Sequence, residues 1–90
     1  MKTIRWTAHA LQNLSDREID QALVEDTLAH PHDIAPAPPG RHIYMRRYWD
    51  HSLQQEMLLR VVIEESSMET VIVTLYKTSR ISRYLRGVES

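Results

Sequence analysis

The stretch EMLLRVVIEESSMETVIVTLYK, residues 56–77, contains two apolar runs separated by a short polar segment. Each run, 56–64 and 69–77, has the length of a strand and is rich in β-branched residues, which suit a pleated surface. The acidic and small residues between the runs are typical of a turn, so the stretch predicts an antiparallel hairpin. Residues 41–49 (RHIYMRRYW) precede it and predict a third strand of the same sheet.

Two helices are predicted before these strands. Residues 7–14 (TAHALQNL) have apolar residues at helical spacing, with Thr7 as the N-cap. Ser15 and Glu18 have the spacing of a capping box, which predicts that a second helix starts there and is stopped by Pro31.

The remaining segments complete a single domain over residues 1–90. Residues 30–40 hold all four prolines and predict a connection, whereas residues 2–6 (KTIRW) predict an edge strand. Residues 79–86 predict either a short helix or a basic tail. The fold class expected from this order is α+β, with two N-terminal helices packed on an antiparallel sheet of three to four strands.

Composition limits the classes of protein to which the chain can belong. An apolar fraction of 42% is ordinary for a globular domain and too high for a disordered chain. The absence of Cys excludes disulfides and thiolate zinc sites. No apolar run reaches membrane-spanning length and residues 1–11 lack the pattern of a signal peptide, so we expect a cytoplasmic protein without a membrane partner.

Charge is distributed unevenly along a chain whose net charge is only −1. Residues 1–40 carry three Lys or Arg against six Asp or Glu, whereas residues 41–90 carry eight against six. Between Tyr76 and Arg86 there are four cations and no acid. A local basic patch is one signature of nucleic-acid binding, and small clusters of Arg also occur on ordinary solvated surfaces.

Strand alternation predicts which way the cations point. If the helices cover the face bearing Ile43, Met45 and Trp49, the opposite face presents cations, phenols and a histidine. These are His42, Tyr44, Arg46, Tyr48, Arg60, Thr74 and Tyr76. Guanidinium groups bind phosphate and aromatic rings stack with bases, so this face suits single-stranded RNA. Cross-strand pairing of surface Tyr and Arg explains the same composition equally well.

Other kinds of site are disfavoured by the sequence. His30, His32 and Asp33 have a spacing that suggests a metal site, but the proline-bound loop supplies no matching further element. With only Gly40 and Gly87, no glycine-rich phosphate loop or dinucleotide motif can form. We therefore expect no metal and no cofactor.

Short motifs in a fixed order run from about His9 to Tyr84. They are His9, Arg17-x-Ile19, L-x-x-P ending at Pro31, G-R-x-x-Y-x-R from Gly40 to Arg46, L-R-V-V from Leu59 to Val62 and V-x-V-T-x-Y-K-T from Val71 to Thr78. This pattern resembles a widespread family of small bacterial proteins known only as a domain of unknown function, which is similar in layout to the BrnT and RelE-like toxins. That family often has Gly at the position of Glu18.

The resemblance implies a RelE- or barnase-like layout with a curved sheet, and an RNA-cleaving toxin neutralised by a co-encoded antitoxin. Cleavage without a metal needs proton-transfer groups and cations around the phosphate. The catalytic candidates are His9 as acid or base, Arg46, Arg60 and Lys77 for the phosphate, and Tyr76 for proton transfer. The candidates for RNA binding are His42, which is also the reserve acid or base, Tyr44, Tyr48, Arg80, Arg83 and Tyr84.

A second interpretation places the chain in a different class of protein. It is a non-catalytic protein-interaction module, either similar to the gyrase inhibitors of this layout or an inactive toxin homologue. Apolar contacts with a partner protein then replace phosphate contacts, and salt matters little to binding. The sequence leaves open whether the chain is an endoribonuclease.

Overall fold

The computed structural model describes residues 2–85, and these form five strands and three helices. In chain order the elements are β1 (Thr3–Trp6), α1 (Ala8–Asp16), α2 (Gln21–Ala29), β2 (Asp33–Ala37), β3 (Arg41–Asp50), β4 (Gln55–Glu65), β5 (Glu69–Thr78) and α3 (Ile81–Tyr84). The predicted α+β class is confirmed, with more strands and helices than expected. The edge strand predicted over residues 2–6 is present as β1. Of the two alternatives predicted for residues 79–86, the short helix is present as α3, and Arg86 lies outside the described residues.

The most apolar strand, β4, lies at the centre of the sheet. The strand order is β1-β5-β4-β3-β2, and every neighbouring pair is antiparallel except β1 and β5, which are parallel. Parallel neighbours need a long crossover, and here most of the chain lies between the two strands. Every residue from Met57 to Val61 is buried, because β4 is covered on both faces.

The main core lies between the sheet and the pair α1 and α2. Its fully or nearly fully buried residues are Ala10, Ile19, Val24, Leu59, Val61, Ile63, Ile72 and Leu75. Burying a Leu or Ile side chain stabilises the fold by about 2 kcal/mol, so this cluster is the chief source of stability. We call the sheet face that it covers the α1/α2 face.

A smaller core lies on the opposite side of the sheet. Met45 and Leu58 are buried there against Leu85, and Ile81 and Tyr84 of α3 pack beside them. This side is called the α3 face below. Residues 81–85 therefore fold back over the sheet, and the sheet has helices on both faces.

The predicted capping box is wrong, because the residues from Ser15 to Glu18 end α1 instead of starting α2. The N–H of Glu18 donates to the carbonyl of Ser15, and the N–H of Ile19 donates to the carbonyl of Leu14. These two bonds form a Schellman motif, with Leu14 and Ile19 both against the main core. Glu18 has a φ of 53°, the left-handed conformation in which the motif prefers Gly.

The proline-rich connection contains a strand that the sequence did not predict. Residues 33–37 form β2, in which Ala35 pairs with Ile43 and Pro36 with His42. Proline cannot donate a backbone hydrogen bond, but an edge strand tolerates that loss on its outer side. A proline-rich segment is thus compatible with the edge of a sheet.

The pairing register also shows that the predicted face of β3 is wrong. Tyr44 lies opposite Val61 of the main core, whereas Met45 lies opposite Arg60. The residues that share the α1/α2 face with Tyr44 are His42, Arg46 and Tyr48. Arg60 and Tyr76 lie on the α3 face, so the single face of Tyr and Arg that alternation suggested is divided between two faces.

A β-bulge changes the predicted alternation in β5. Val62 lies opposite Thr74 but the next residue, Ile63, lies opposite Ile72, so Val73 is an extra residue. A bulge shifts the side-chain pattern by one position. Ile72 and Leu75 are therefore the buried apolar residues of this strand, three positions apart, where strict alternation would place buried residues two apart.

Among residues 2–85, none of the helices has the length and apolar content needed to span a bilayer.

Candidate nucleic-acid interface

Four side chains on the α3 face form an alternating stack of rings and guanidinium groups. Arg60 lies in the middle of β4, and Tyr76 is its cross-strand neighbour on β5. Arg83 and Tyr84 come from α3, which the smaller core holds against the sheet. We call these four residues the Tyr–Arg stack.

The geometry of the stack places Arg60 between two aromatic rings. Its guanidinium carbon is 4.0 Å from the centre of the Tyr84 ring and 5.4 Å from that of Tyr76. Its Nη1 also donates a hydrogen bond to the hydroxyl of Tyr76. Arg83 contacts the Tyr84 ring at 5.5 Å. These distances lie within the range of cation–π attraction.

Arg60 is unusual because it is a buried cation with no carboxylate partner in the described part of the chain. The residue is 9% exposed. Among residues 2–85 no acidic side chain forms an ion pair with it, and its buried Nε has no hydrogen-bond acceptor. Buried charges are normally paired, since desolvation of an isolated ion is costly. Within residues 2–85, the arrangement therefore leaves one donor without an acceptor and one positive charge without a carboxylate.

Two exposed arginines lie beside this buried one. Arg80 is the N-cap residue of α3, and Arg83 is in its last turn. Both residues are exposed. Of the residues that the sequence selected, the structure thus brings Arg60, Tyr76, Arg83 and Tyr84 into contact and places Arg80 next to them in the chain. Phosphate oxygens are suitable partners for such a group.

Arg46 and Lys77, the other predicted phosphate ligands, lie on the α1/α2 face and have partners of their own. Arg46 Nε is 3.2 Å from Oδ2 of Asp26, and its Nη1 donates to the carbonyl of His30. Lys77 Nζ is 2.8 Å from Oδ2 of Asp50. Arg46 joins β3 to α2, and Lys77 joins β5 to the end of β3. The geometry of both cations therefore favours a structural role.

The Lys77–Asp50 pair is part of a buried polar group. The two side chains are 13% and 6% exposed, and the hydroxyl of Tyr48 donates to the same carboxylate oxygen at 3.1 Å. The hydrogen bond from Lys77 is the main reason that the pKa of Asp50 is lowered from 3.8 to about 2. Burial, followed by the bond to Asp50, raises the pKa of Tyr48 above its usual range.

The remaining predicted residues are distributed around the α1/α2 face. His9 is exposed on α1 and His42 is exposed on β3, so neither imidazole is in the Tyr–Arg stack. Tyr44 packs against the main core and its hydroxyl is 3.5 Å from Oε1 of Glu65. Burial is the largest cause of the raised pKa of Tyr44.

Sequence reasoning missed the acids that neutralise the predicted cations. Asp50 ends β3 directly after Trp49, and its carboxylate pairs with Lys77. Asp26 is exposed on α2 and pairs with Arg46. Among residues 2–85, no three His, Asp or Glu side chains come together in an arrangement that could hold a metal ion.

Comparison with known proteins identifies one family. The sequence profile of a family described as a domain of unknown function (DUF4258) matches residues 6–77. No match is found among curated proteins, and none among solved structures. The expected similarity to a domain of unknown function is thereby confirmed. This match does not concern a BrnT or RelE-like toxin.

Proposed function

The chain belongs to the DUF4258 family, and we propose that it binds single-stranded RNA through phosphate contacts at the Tyr–Arg stack. We further propose that it cleaves this RNA without a metal ion, as the toxin of a toxin–antitoxin pair. The antitoxin would then cover the same basic face.

The observation that carries the proposal is the buried guanidinium of Arg60, which has no carboxylate partner among residues 2–85. The negative charge of a phosphodiester bound at the neighbouring exposed arginines would compensate the buried cation, which has no carboxylate partner among the described residues. Arg80 and Arg83 are exposed and would contact neighbouring phosphates. The rings of Tyr76 and Tyr84 already contact Arg60, so they hold the cation in place rather than offer open surfaces for stacking bases.

The stack also contains a group suited to proton donation. Because the Tyr76 hydroxyl accepts a hydrogen bond from Arg60, its own proton remains available for another acceptor. In cleavage, the 2′-hydroxyl oxygen attacks phosphorus and loses its proton to a solvent water, the bond to the 5′-oxygen breaks, and Tyr76 would protonate that leaving oxygen. Arg60 would stabilise the charge that develops on the phosphate oxygens.

The test uses the purified full chain and a labelled single-stranded RNA, with binding and cleavage measured separately. Tyr76→Phe keeps the ring and removes only the hydroxyl, so cleavage should fall on the order of a hundredfold while binding persists. Arg83→Ala should weaken binding and reduce the slope of log K against log salt concentration by about 1. Arg17→Ala is the matched control, because Arg17 is an exposed arginine at the end of α1.

Each outcome has a defined meaning. If the wild type binds RNA but does not cleave it, the proposed RNA interface stands and the proposed ribonuclease activity is rejected. Absence of RNA binding, or equal losses in Arg83→Ala and Arg17→Ala, would overturn the proposal and favour the protein-interaction module. Induced expression in bacteria gives an independent readout, in which growth arrest with fragmented RNA supports the toxin.

A further inference from the structure

One aromatic residue on the α3 face takes no part in either core. β3 pairs with β4 without interruption from Arg41 to Asp50, so Trp49 lies on the same face as Met45, four residues earlier. Trp49 is 53% exposed and belongs to neither of the two core clusters. The face that carries the Tyr–Arg stack therefore also presents an exposed indole.

The surroundings of Trp49 leave its ring accessible. The edge strand β2 pairs with residues 41–45 only, so among residues 2–85 no strand lies beside Trp49 on that side. Glu56 is the cross-strand neighbour of Trp49 on β4, and its Oε1 is 2.5 Å from Nη2 of Arg47. The acid directly opposite the ring thus has a cation of its own, which reduces its repulsion of a polyanion.

The pairing register gives the separation between this ring and the buried cation of the stack. Met45 lies opposite Arg60, and Trp49 is four residues further along β3. At about 3.3 Å per residue and about 4.8 Å between strands, the Cα atoms of Trp49 and Arg60 are about 14 Å apart. Arg80 and Arg83 are exposed at the two ends of α3 on the same face. A short extended segment of RNA can therefore reach both the stack and the indole.

We propose that Trp49 stacks with an unpaired base of the RNA whose phosphates bind at the Tyr–Arg stack, an inference that rests on the function proposed above. The rings of Tyr76 and Tyr84 already contact Arg60, so Trp49 supplies the stacking surface that the stack itself lacks. Bases in a duplex are stacked on one another and paired, so their faces are not available to the indole. Trp49 is then the residue that selects single strands.

The test is a thermodynamic cycle between the indole and the bases, measured with the purified full chain. One probe is a short labelled 2′-O-methyl oligoadenylate, which cannot be cleaved because it lacks the attacking hydroxyl. The other is an abasic strand of the same length, which keeps the phosphates. Trp49→Ala should weaken binding of the oligoadenylate about tenfold and leave binding of the abasic strand unchanged, whereas Trp49→Phe should retain most of the affinity.

Tryptophan fluorescence gives a direct readout of stacking. The oligoadenylate should quench the emission of the wild type, whereas the emission of Trp49→Phe, in which Trp6 remains, should not change. Pairing the oligoadenylate with its complement should remove the difference in affinity between the wild type and Trp49→Ala. Leu11→Ala is the matched control, because Leu11 is an exposed apolar residue of α1 on the other side of the sheet, and its binding should equal that of the wild type.

Two results overturn the inference and separate it from the proposed function. If Arg83→Ala weakens binding of both strands while Trp49→Ala binds the oligoadenylate like the wild type, the RNA interface stands and the role of Trp49 is rejected. Equal losses of Trp49→Ala on the oligoadenylate and the abasic strand reject base stacking in the same way. If the wild type binds neither strand, the proposed RNA function and the role of Trp49 fail together.

Discussion

The guanidinium of Arg60 lies against the ring of Tyr84, with 4.0 Å between the guanidinium carbon and the ring centre. This contact joins the central strand to the last described helix, and the same ring contacts Arg83. We expect Tyr84→Phe, which retains the ring, to change the free energy of unfolding by less than about 0.5 kcal/mol. Tyr84→Ala should lower it by about 3 kcal/mol, because ring burial and the cation–π contacts are lost. Urea denaturation of both variants measures the difference, and equal losses would show that the ring contact contributes little.

The Asp50–Lys77 pair makes stability depend on pH in the acid range. The folded-state pKa of Asp50 is about 2 and the usual value is 3.8, so folding favours the charged form. Its contribution, about 2 kcal/mol, is present above pH 4 and is lost as the pH falls toward 2. Urea unfolding at several pH values should show this loss in the wild type. An equally steep loss in Asp50→Asn would assign it to other carboxyl groups.

Removal of Lys77 alone should be more harmful than removal of the pair. Lys77→Met leaves the buried carboxylate of Asp50 without its cation and should cost about 3–5 kcal/mol. The double variant Lys77→Met with Asp50→Asn no longer contains a buried charge at this position. We therefore expect it to be more stable than the single variant, and a thermal melt of the three proteins provides the comparison. Strict additivity of the two substitutions would contradict a direct interaction.

Glu18 occupies a left-handed position at the end of α1, with a φ of 53°. A side chain in this conformation costs about 1–2 kcal/mol, and Gly avoids most of that cost. Glu18→Gly should raise the free energy of unfolding by about 1 kcal/mol, whereas Glu18→Val should lower it. Glu18→Gln is the control for loss of charge. A Gly variant no more stable than the Gln variant would argue against strain at this residue.

Thr7 joins α1 to the sheet through one hydroxyl. Its Oγ1 accepts from the N–H of Ala10 at 3.1 Å and donates to the carbonyl of Ile72 at 2.9 Å. Thr7→Val retains the shape but removes both bonds, and it should cost about 1–2 kcal/mol. Thr7→Ser keeps the hydroxyl and should lose much less. Chemical denaturation ranks the two variants, and the opposite order would mean that the methyl group matters more than the hydroxyl.

The strands β1, β3, β4 and β5 and the cap of α1 were accessible from the sequence because each is set by local chemistry. Thr7 at the N-cap and the turn between β4 and β5 depend only on neighbouring residues, and both predictions are confirmed. The face of β3 was not accessible in this way. Tyr44 and Met45 are both able to lie against a core, and only pairing with a strand buried on both faces decides which one turns toward α1 and α2.

The candidate site shows the same division between local and long-range information. Arg60 and Tyr76 were selected for their chemistry, and the register placed them side by side. Lys77 was selected for the same reason, but Asp50 neutralises it across a separation that no motif indicates. A basic residue is therefore a poor guide to function until its acidic neighbours are known.

The strand β1 has a protective consequence for the whole chain. Without it, β5 and its run of β-branched residues, TVIVT, would be an open edge to which another molecule could add in an amyloid-like manner. The charged side chains Lys2 and Arg5 on and beside β1 oppose such stacking, and Pro36 blocks it at the other edge. Both edges of the sheet are thus protected against edge-to-edge aggregation.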